Sequence, residues 1–363
     1  MDSPRTLEDV KNDIRGRVAH RAPFLYADKA EAEDALARMP SFDGEIWASA
    51  WNDLGARWED KAHAAEKAGN AAEAKNSFLK SYGYYGISRH PFPSTPGKHH
   101  GYKKTREMFL AASKYFEIPI ERVSIPFREQ PIVGHLRLPK KLPAPMIMHW
   151  GGIDNWKEER HSFGETFVKE GWGCFIMDSP GTGECPVLAG PDAHAVHMAA
   201  LEYLSQRAEV DADRIAVVGA SFGGHWSTKL AHVAPDKLRA AVNWGGGIHY
   251  FFQPEWQERS RHADSYLFDL IEARANLFGK KTFEELCDVM PALSLLDSGW
   301  LDKPCAPTLI VNGKEDKQVP LEDFYLLLEH GNPKAIRLFP GGHMGSIPNI
   351  FKTVIAWLHQ RLV

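Results

Sequence analysis

Val217-Val218-Gly219-Ala220-Ser221-Phe222-Gly223-Gly224 carries G-x-S-x-G spacing. A short β-branched strand pattern, Arg214-Ile215-Ala216-Val217-Val218, precedes it, and His225-Trp226-Ser227-Thr228-Lys229-Leu230-Ala231 can run on as a helix. A serine on so sharp a strand-to-helix turn is held in a strained backbone conformation, and Gly219 and Gly223 relieve the crowding around it. The turn lifts the hydroxyl clear of the sheet, and the helix N-terminus behind it favours developing negative charge. So short a motif recurs by chance, so the rest of the chain has to supply a base, an acid and an oxyanion hole.

On either side of this turn the sequence alternates short apolar strands with helical stretches. Strand patterns lie at 123–127, 132–138, 144–150, 173–178, 215–218, 240–244, 307–312 and 335–339. The first two read as an antiparallel start. The others are apolar almost throughout, as strands covered on both faces are. This predicts an α/β protein with a mostly parallel sheet. Between residues 248 and 301 the alternation stops, and aromatics (Phe251, Phe252, Trp256, Tyr266, Phe268, Phe278, Phe283) occur in helical stretches, which reads as a helical lid insertion.

Residues 1–120 differ in texture: almost no strand signal and much helical periodicity. Trp47, Trp51, Leu54 and Trp58 fall on one helical face. A second helix is expected over 71–88, ended by Arg89-His90-Pro91-Phe92-Pro93, and a third over about 101–116. The helix-turn-helix texture resembles a single tetratricopeptide unit, but an array needs about three repeats to bury a continuous core. A helical N-terminal cap domain (1–120) on a catalytic domain (121–363) is the expected division.

A nucleophilic serine needs a base, and the base needs an acid to fix its tautomer. In the order nucleophile, acid, histidine, Asp316 lies just past a strong strand in Val311-Asn312-Gly313-Lys314-Glu315-Asp316-Lys317-Gln318-Val319-Pro320, with Glu315 as the competing acid. His343 stands in a glycine-flanked loop, Phe339-Pro340-Gly341-Gly342-His343-Met344-Gly345, before a terminal helix over 349–362. Among the seventeen histidines it is the one so placed; His99 and His100 read as loop residues, and His225, His232 and His330 as helix or surface positions. The oxyanion hole is expected to use the amide of Phe222 and one from His149-Trp150-Gly151-Gly152-Ile153, either Gly152 or Ile153. Together these positions predict an α/β-hydrolase fold with Ser221, Asp316 and His343 as its triad.

The loop G-G-I-D-x-x-K-E-E (151–159), the segment Asp178-Ser179-Pro180-Gly181-Thr182-Gly183-Glu184, the turn G-A-S-F-G-G-H and the strand end Asn243-Trp244-Gly245-Gly246-Gly247 together resemble the FrsA-like α/β-hydrolase family. That group includes a C–C hydrolase of nicotine breakdown and polyketide-shortening hydrolases of fungal pigment synthesis. The resemblance implies a helical cap over the site, a homodimer, and hydrolysis of a C–C bond next to a ketone, with esterases as the alternative. It further implies an assisting acid near the site, for which Glu255 and His249 are candidates. Tyr84, Tyr85 and Trp150 are added as candidate substrate contacts.

Composition narrows the classes further. The chain has 363 residues with 43 Lys and Arg against 47 Asp and Glu, a formal charge of −4, which gives no electrostatic case for nucleic acid or an anionic membrane. No apolar run is long enough for a membrane span, and no signal-peptide pattern opens the sequence. Four scattered cysteines read as free thiols, hence a cytoplasmic setting. A small-molecule substrate with neither cofactor nor metal is expected. A catalytically silent binding or regulatory protein on the same scaffold is the reading from another class.

Overall fold

The computed structural model describes residues 6–261, 266–330 and 333–362. The chain divides into two compact units, one formed by Met1–Ile120 with Leu267–Asp269, the other by Glu121–Tyr266 with Leu270–Val363.

The first unit is helical: Leu7–Arg17, Lys29–Ala37, Gly44–Lys67, Ala71–Ser88 and Pro96–Ser113. Its long helix runs because Asp43 caps it, accepting from the amides of Glu45 and Ile46, and because Trp47, Trp51 and Leu54 bury one face. The third helix of the expectation begins earlier than 101. Thr95 accepts from the Lys98 amide and Pro96 takes the first turn, where a missing N–H costs nothing. His99 and His100 therefore lie on a helix rather than in a loop. Leu267 and Phe268 belong to this unit's core, with Phe268 stacked on Phe42 at 5.3 Å and edge-on to Trp47 at 4.9 Å.

The second unit is an eight-stranded sheet: β1 (Glu121–Ile125), β2 (Ile132–Arg137), β3 (Ala144–Trp150), β4 (Gly173–Met177), β5 (Val210–Ala220), β6 (Ala240–Trp244), β7 (Thr308–Gly313) and β8 (Lys334–Phe339). The order is β1-β2-β4-β3-β5-β6-β7-β8; β2 runs antiparallel to β1 and β4, and all other pairs are parallel. β3, β4, β6 and β7 are buried along their whole length, which is why they read as continuous apolar runs. The insertion between β6 and β7 holds helices Pro254–Ser260, Leu270–Leu277 and Phe283–Val289. Among the described residues no helix is long and apolar enough to cross a membrane, and no group of His, Cys, Asp or Glu is arranged to hold a metal.

Register decides where the chemistry can sit. Trp150 of β3 pairs with Gly219 of β5, and Ala220 with Trp244 of β6, which pairs in turn with Val311 of β7; Gly313 meets Phe339 of β8. The C-terminal ends of five neighbouring strands are thus level. The loops that leave them, carrying Gly151-Gly152, Ser221, Gly245, Asp316 and His343, emerge along one edge, where ligands bind in parallel α/β sheets.

Candidate active site

Ser221 stands between β5 and the helix Phe222–Val233 with φ 54° and ψ −129°, a conformation costly for a residue with a side chain. Surrounding bonds hold it there: its amide donates to the Trp244 carbonyl at 2.7 Å, and its carbonyl accepts from Gly224 at 2.7 Å. Small residues make room. A Cβ on Gly219 would lie 1.9 Å from the Gly223 carbonyl oxygen, and one on Gly223 2.4 Å from that of Gly151.

Ser221 Oγ is 2.8 Å from His343 Nε2, and His343 Nδ1 is 2.7 Å from Asp316 Oδ2. Asp316 is fully buried at its side chain and His343 is 8% exposed, whereas Glu315 is exposed to solvent. Burial opposes the charge on Asp316. His343 and the N–H donors of Asn312 and Gln318 outweigh it and hold the carboxyl below its usual range. An ionised carboxylate only accepts, so the proton sits on Nδ1, leaving Nε2 to accept from the serine hydroxyl.

Two residues outside the sequence expectation fix this arrangement. Asn312, at the end of β7, donates to Asp316 Oδ2 at 2.7 Å and accepts the Met344 amide at 2.9 Å. Trp244 Nε1 donates to the Met344 carbonyl at 3.0 Å. Met344 sits at φ 70° between Gly341 (φ 102°) and Gly345 (φ 58°), so the histidine loop is a tight left-handed turn bonded to the ends of β6 and β7.

Opposite the serine, a Cβ on Gly152 would lie 2.7 Å from Ser221 Cβ and 3.0 Å from its Oγ. The loop after β3 therefore passes directly against the nucleophile. The amides of Gly152, Ile153 and Phe222 donate to no backbone acceptor in the described turns and loops, and that of Phe222 heads its helix, where no intrahelical partner exists. These are the amides named in the oxyanion expectation, and none is taken up by a backbone acceptor there.

The remaining candidates have these surroundings. Trp150, expected among the substrate contacts, is fully buried and donates from Nε1 to the Gly223 carbonyl at 2.8 Å, so it braces the turn from below. Tyr84 and Tyr85 lie in the helical unit with their hydroxyls directed to Glu31 and Glu59. His249 is half-buried, with Nδ1 2.8 Å from Ser294 Oγ and 3.4 Å from Asp297. Glu255 is exposed in the first turn of Pro254–Ser260. The sequence reading passed over Asp323, whose buried carboxylate accepts the amides of Ile248, His249, Tyr250 and Phe251 and so sets the chain's course after β6.

Known proteins resemble this chain over much of its length. The chain matches the Esterase FrsA-like family over residues 11–362. It is 26% identical over 343 residues to the 20-hydroxy-prefusarin hydrolase FUS2 of Gibberella moniliformis, covering 82% of this chain and 80% of that protein. It is 25% identical over 382 residues to esterase FrsA of Photobacterium profundum, covering 95% and 88%. With the α/β hydrolase gkaG of Penicillium citrinum it shares 30% identity over 59% of this chain, and the chain spans about half of that relative's length (54%). The crystal structure of 2,6-dihydroxy-pseudo-oxynicotine hydrolase superposes with a TM-score of 0.78 at 22% identity, over 94% of this chain and 95% of that one, which speaks to the fold. With the family match reaching from one end of the chain nearly to the other, this protein belongs to the FrsA-like family of α/β-hydrolases.

Proposed function

We propose that this protein is a serine hydrolase in which Ser221, His343 and Asp316 act as a triad through an acyl-enzyme. The observation that carries the reading is the relay from Ser221 Oγ through both nitrogens of His343 to Asp316, at 2.8 and 2.7 Å, behind a serine held at positive φ. His343 takes the serine proton as Oγ attacks a carbonyl carbon, and the new oxyanion meets the amides of Phe222 and of Gly152 or Ile153. The leaving group departs with the bonding pair and receives the proton from His343. Water then attacks the acyl-enzyme, its proton passes to His343 and on to Ser221 Oγ, and a carboxylic acid is released. No cofactor enters these steps.

For the bond broken, we infer a C–C bond next to a ketone in an aromatic or polyketide-like small molecule. The carbanion leaving from such a substrate is delocalised onto the neighbouring carbonyl or ring, which lowers the demand on a proton donor. Supporting this are similarities to a pseudo-oxynicotine hydrolase and to a prefusarin hydrolase. A second reading, an esterase or thioesterase for aromatic acyl groups, is favoured by the exposure of Glu255, which leaves a carbanion without that acid. An alkoxide or thiolate can be protonated by His343 directly.

Turnover of p-nitrophenyl esters and of a panel of aryl β-diketones by wild type, Ser221→Ala and Glu255→Gln tests both. Ser221-dependent diketone cleavage establishes the C–C reading. Ester turnover with inert diketones and no effect of Glu255→Gln removes it. No turnover of either class leaves the non-catalytic reading.

A further inference from the structure

Beyond the triad, a buried polar group sits behind the loop that faces Ser221. Lys157 begins the short 3-10 turn Lys157–Arg160 that ends this loop, and its side chain is wholly buried. Its ammonium lies 2.8 Å from Glu158 Oε1, 2.9 Å from Asp178 Oδ2 and 2.8 Å from Glu184 Oε2. Asp178, at the end of β4, also accepts the Lys157 backbone amide through Oδ1 at 2.8 Å. One carboxylate thus holds both the main chain and the side chain of Lys157.

The next residue holds the other end of the loop. Ser179 Oγ donates to the Gly151 carbonyl at 2.7 Å. Between the two anchors the loop is braced internally, with Trp156 Nε1 donating to the Ile153 carbonyl at 3.1 Å and the Trp156 amide donating to Glu159 Oε2 at 2.5 Å. The turn after β4 is built around the same carboxylate. The Glu184 amide donates to Asp178 Oδ2 at 2.8 Å, and Gly183 is at φ 51° with no room for a Cβ, which would lie 2.1 Å from that oxygen.

Burying one ammonium among three carboxylates is a poor way to add stability, because desolvation consumes most of the Coulombic gain. It is a good way to fix a backbone in one place. Catalysis by amide donors depends on that fixing, since a donor already aimed at the developing charge needs no reorganisation during the reaction.

We propose that Asp178, Ser179 and Lys157 are positioning residues that hold both ends of residues 151–157 and so aim the Gly152 and Ile153 amides at the oxyanion formed on attack by Ser221. The proposal rests on the serine-hydrolase reading for its chemistry, while the fixing of the loop stands on the bonds above. Removing one anchor lowers transition-state binding and leaves ground-state binding alone.

The test uses Ser179→Ala, which deletes one hydroxyl without stranding a charge, Ser179→Thr, which restores one, and Asp178→Asn as the stronger lesion. Ester turnover, the Ki of an aryl trifluoromethyl ketone that forms a charged tetrahedral adduct on serine, Tm, and hydrogen exchange of residues 151–157 are measured for each. The expected result for Ser179→Ala is a kcat about tenfold lower, an unchanged KM, a Ki raised by the same factor, faster exchange in the loop, and recovery in Ser179→Thr. Wild-type kcat, Ki and exchange in Ser179→Ala would overturn the proposal, as would a loss of kcat without a matching rise in Ki. If wild type turns over neither an ester nor a diketone, the hydrolase reading fails by itself, and the exchange measurement still decides whether these residues fix the loop.

Discussion

Asn312 and His343 share one oxygen: Asp316 Oδ2 accepts from Asn312 Nδ2 and from His343 Nδ1, each at 2.7 Å. The same asparagine accepts the amide of Met344 through Oδ1, so it ties the acid to the backbone of the histidine loop. Asp316 Oδ1 is saturated separately by the amides of Gln318 and Val319 at 2.7 and 3.1 Å. The carboxylate therefore has one geometry available, and the imidazole inherits it.

Asn312→Ala is expected to lower kcat about 10- to 100-fold, because the ring and its acid gain freedom of a fraction of an ångström. KM stays near wild type, since Asn312 sits behind the relay. Steady-state kinetics with an activated ester checks this; a change confined to KM contradicts it.

Gly152→Ala places a methyl 2.7 Å from Ser221 Cβ. The serine or the loop has to move, and a loss of activity on the order of 100-fold is expected from misplacing nucleophile and donor together. Tm is expected to change less than activity, because the atoms displaced lie in loops leaving the sheet and not within its strands. Parallel melting curves and turnover distinguish this from unfolding.

Asp323→Ala strands four backbone amides at the start of the insertion. The expected cost is about 3 kcal/mol or more in unfolding free energy, with Asp323→Asn milder because one acceptor oxygen remains. Urea denaturation of both variants measures it.

Stability should fall on acidification below neutral pH. Burial pulls His135, His149, His197 and His225 from the ordinary 6.5 to about 3, so the folded protein keeps them neutral. Between those two values the unfolded chain binds more protons, and unfolding free energy declines as pH drops, by up to ~1.4 kcal/mol per pH unit for each histidine. Asp316 is held below its usual range, so its contribution is present above the ordinary carboxylate value and is lost only at more acid pH. Urea midpoints at pH 7.5, 6 and 5 should decrease in that order.

The legible parts of this chain were those in which one physical demand dominates. β3, β4, β6 and β7 were readable because strands buried along their whole length must be apolar, while β1 and β8, more exposed, were readable from their short runs between turn signals. That Ser221, Asp316 and His343 lie within hydrogen-bond reach of one another was readable because a turn, a strand end and a glycine-flanked loop leave characteristic spacing. Asn312 was not, since one polar residue closing an apolar strand looks like the start of a loop. Its cue, a buried strand ending in a side chain with both a donor and an acceptor, carries meaning only once the partners are known. Asp323 and Lys157 were hidden for a related reason: each reads as a surface charge, and only the fold buries it. A tryptophan beside a glycine pair suggests a pocket wall in the sequence, and the structure instead buries Trp150 with its indole N–H on the Gly223 carbonyl.

In the proposed mechanism Ser221 is the nucleophile and His343 its base. Intact-mass spectrometry after exposure to a fluorophosphonate, with peptide mapping, tests it directly on wild type, Ser221→Ala and His343→Ala. One adduct on Ser221 in wild type, none in Ser221→Ala and far slower labelling in His343→Ala is the predicted result. An adduct that persists in Ser221→Ala, or a wild-type protein that takes up no label, would contradict it.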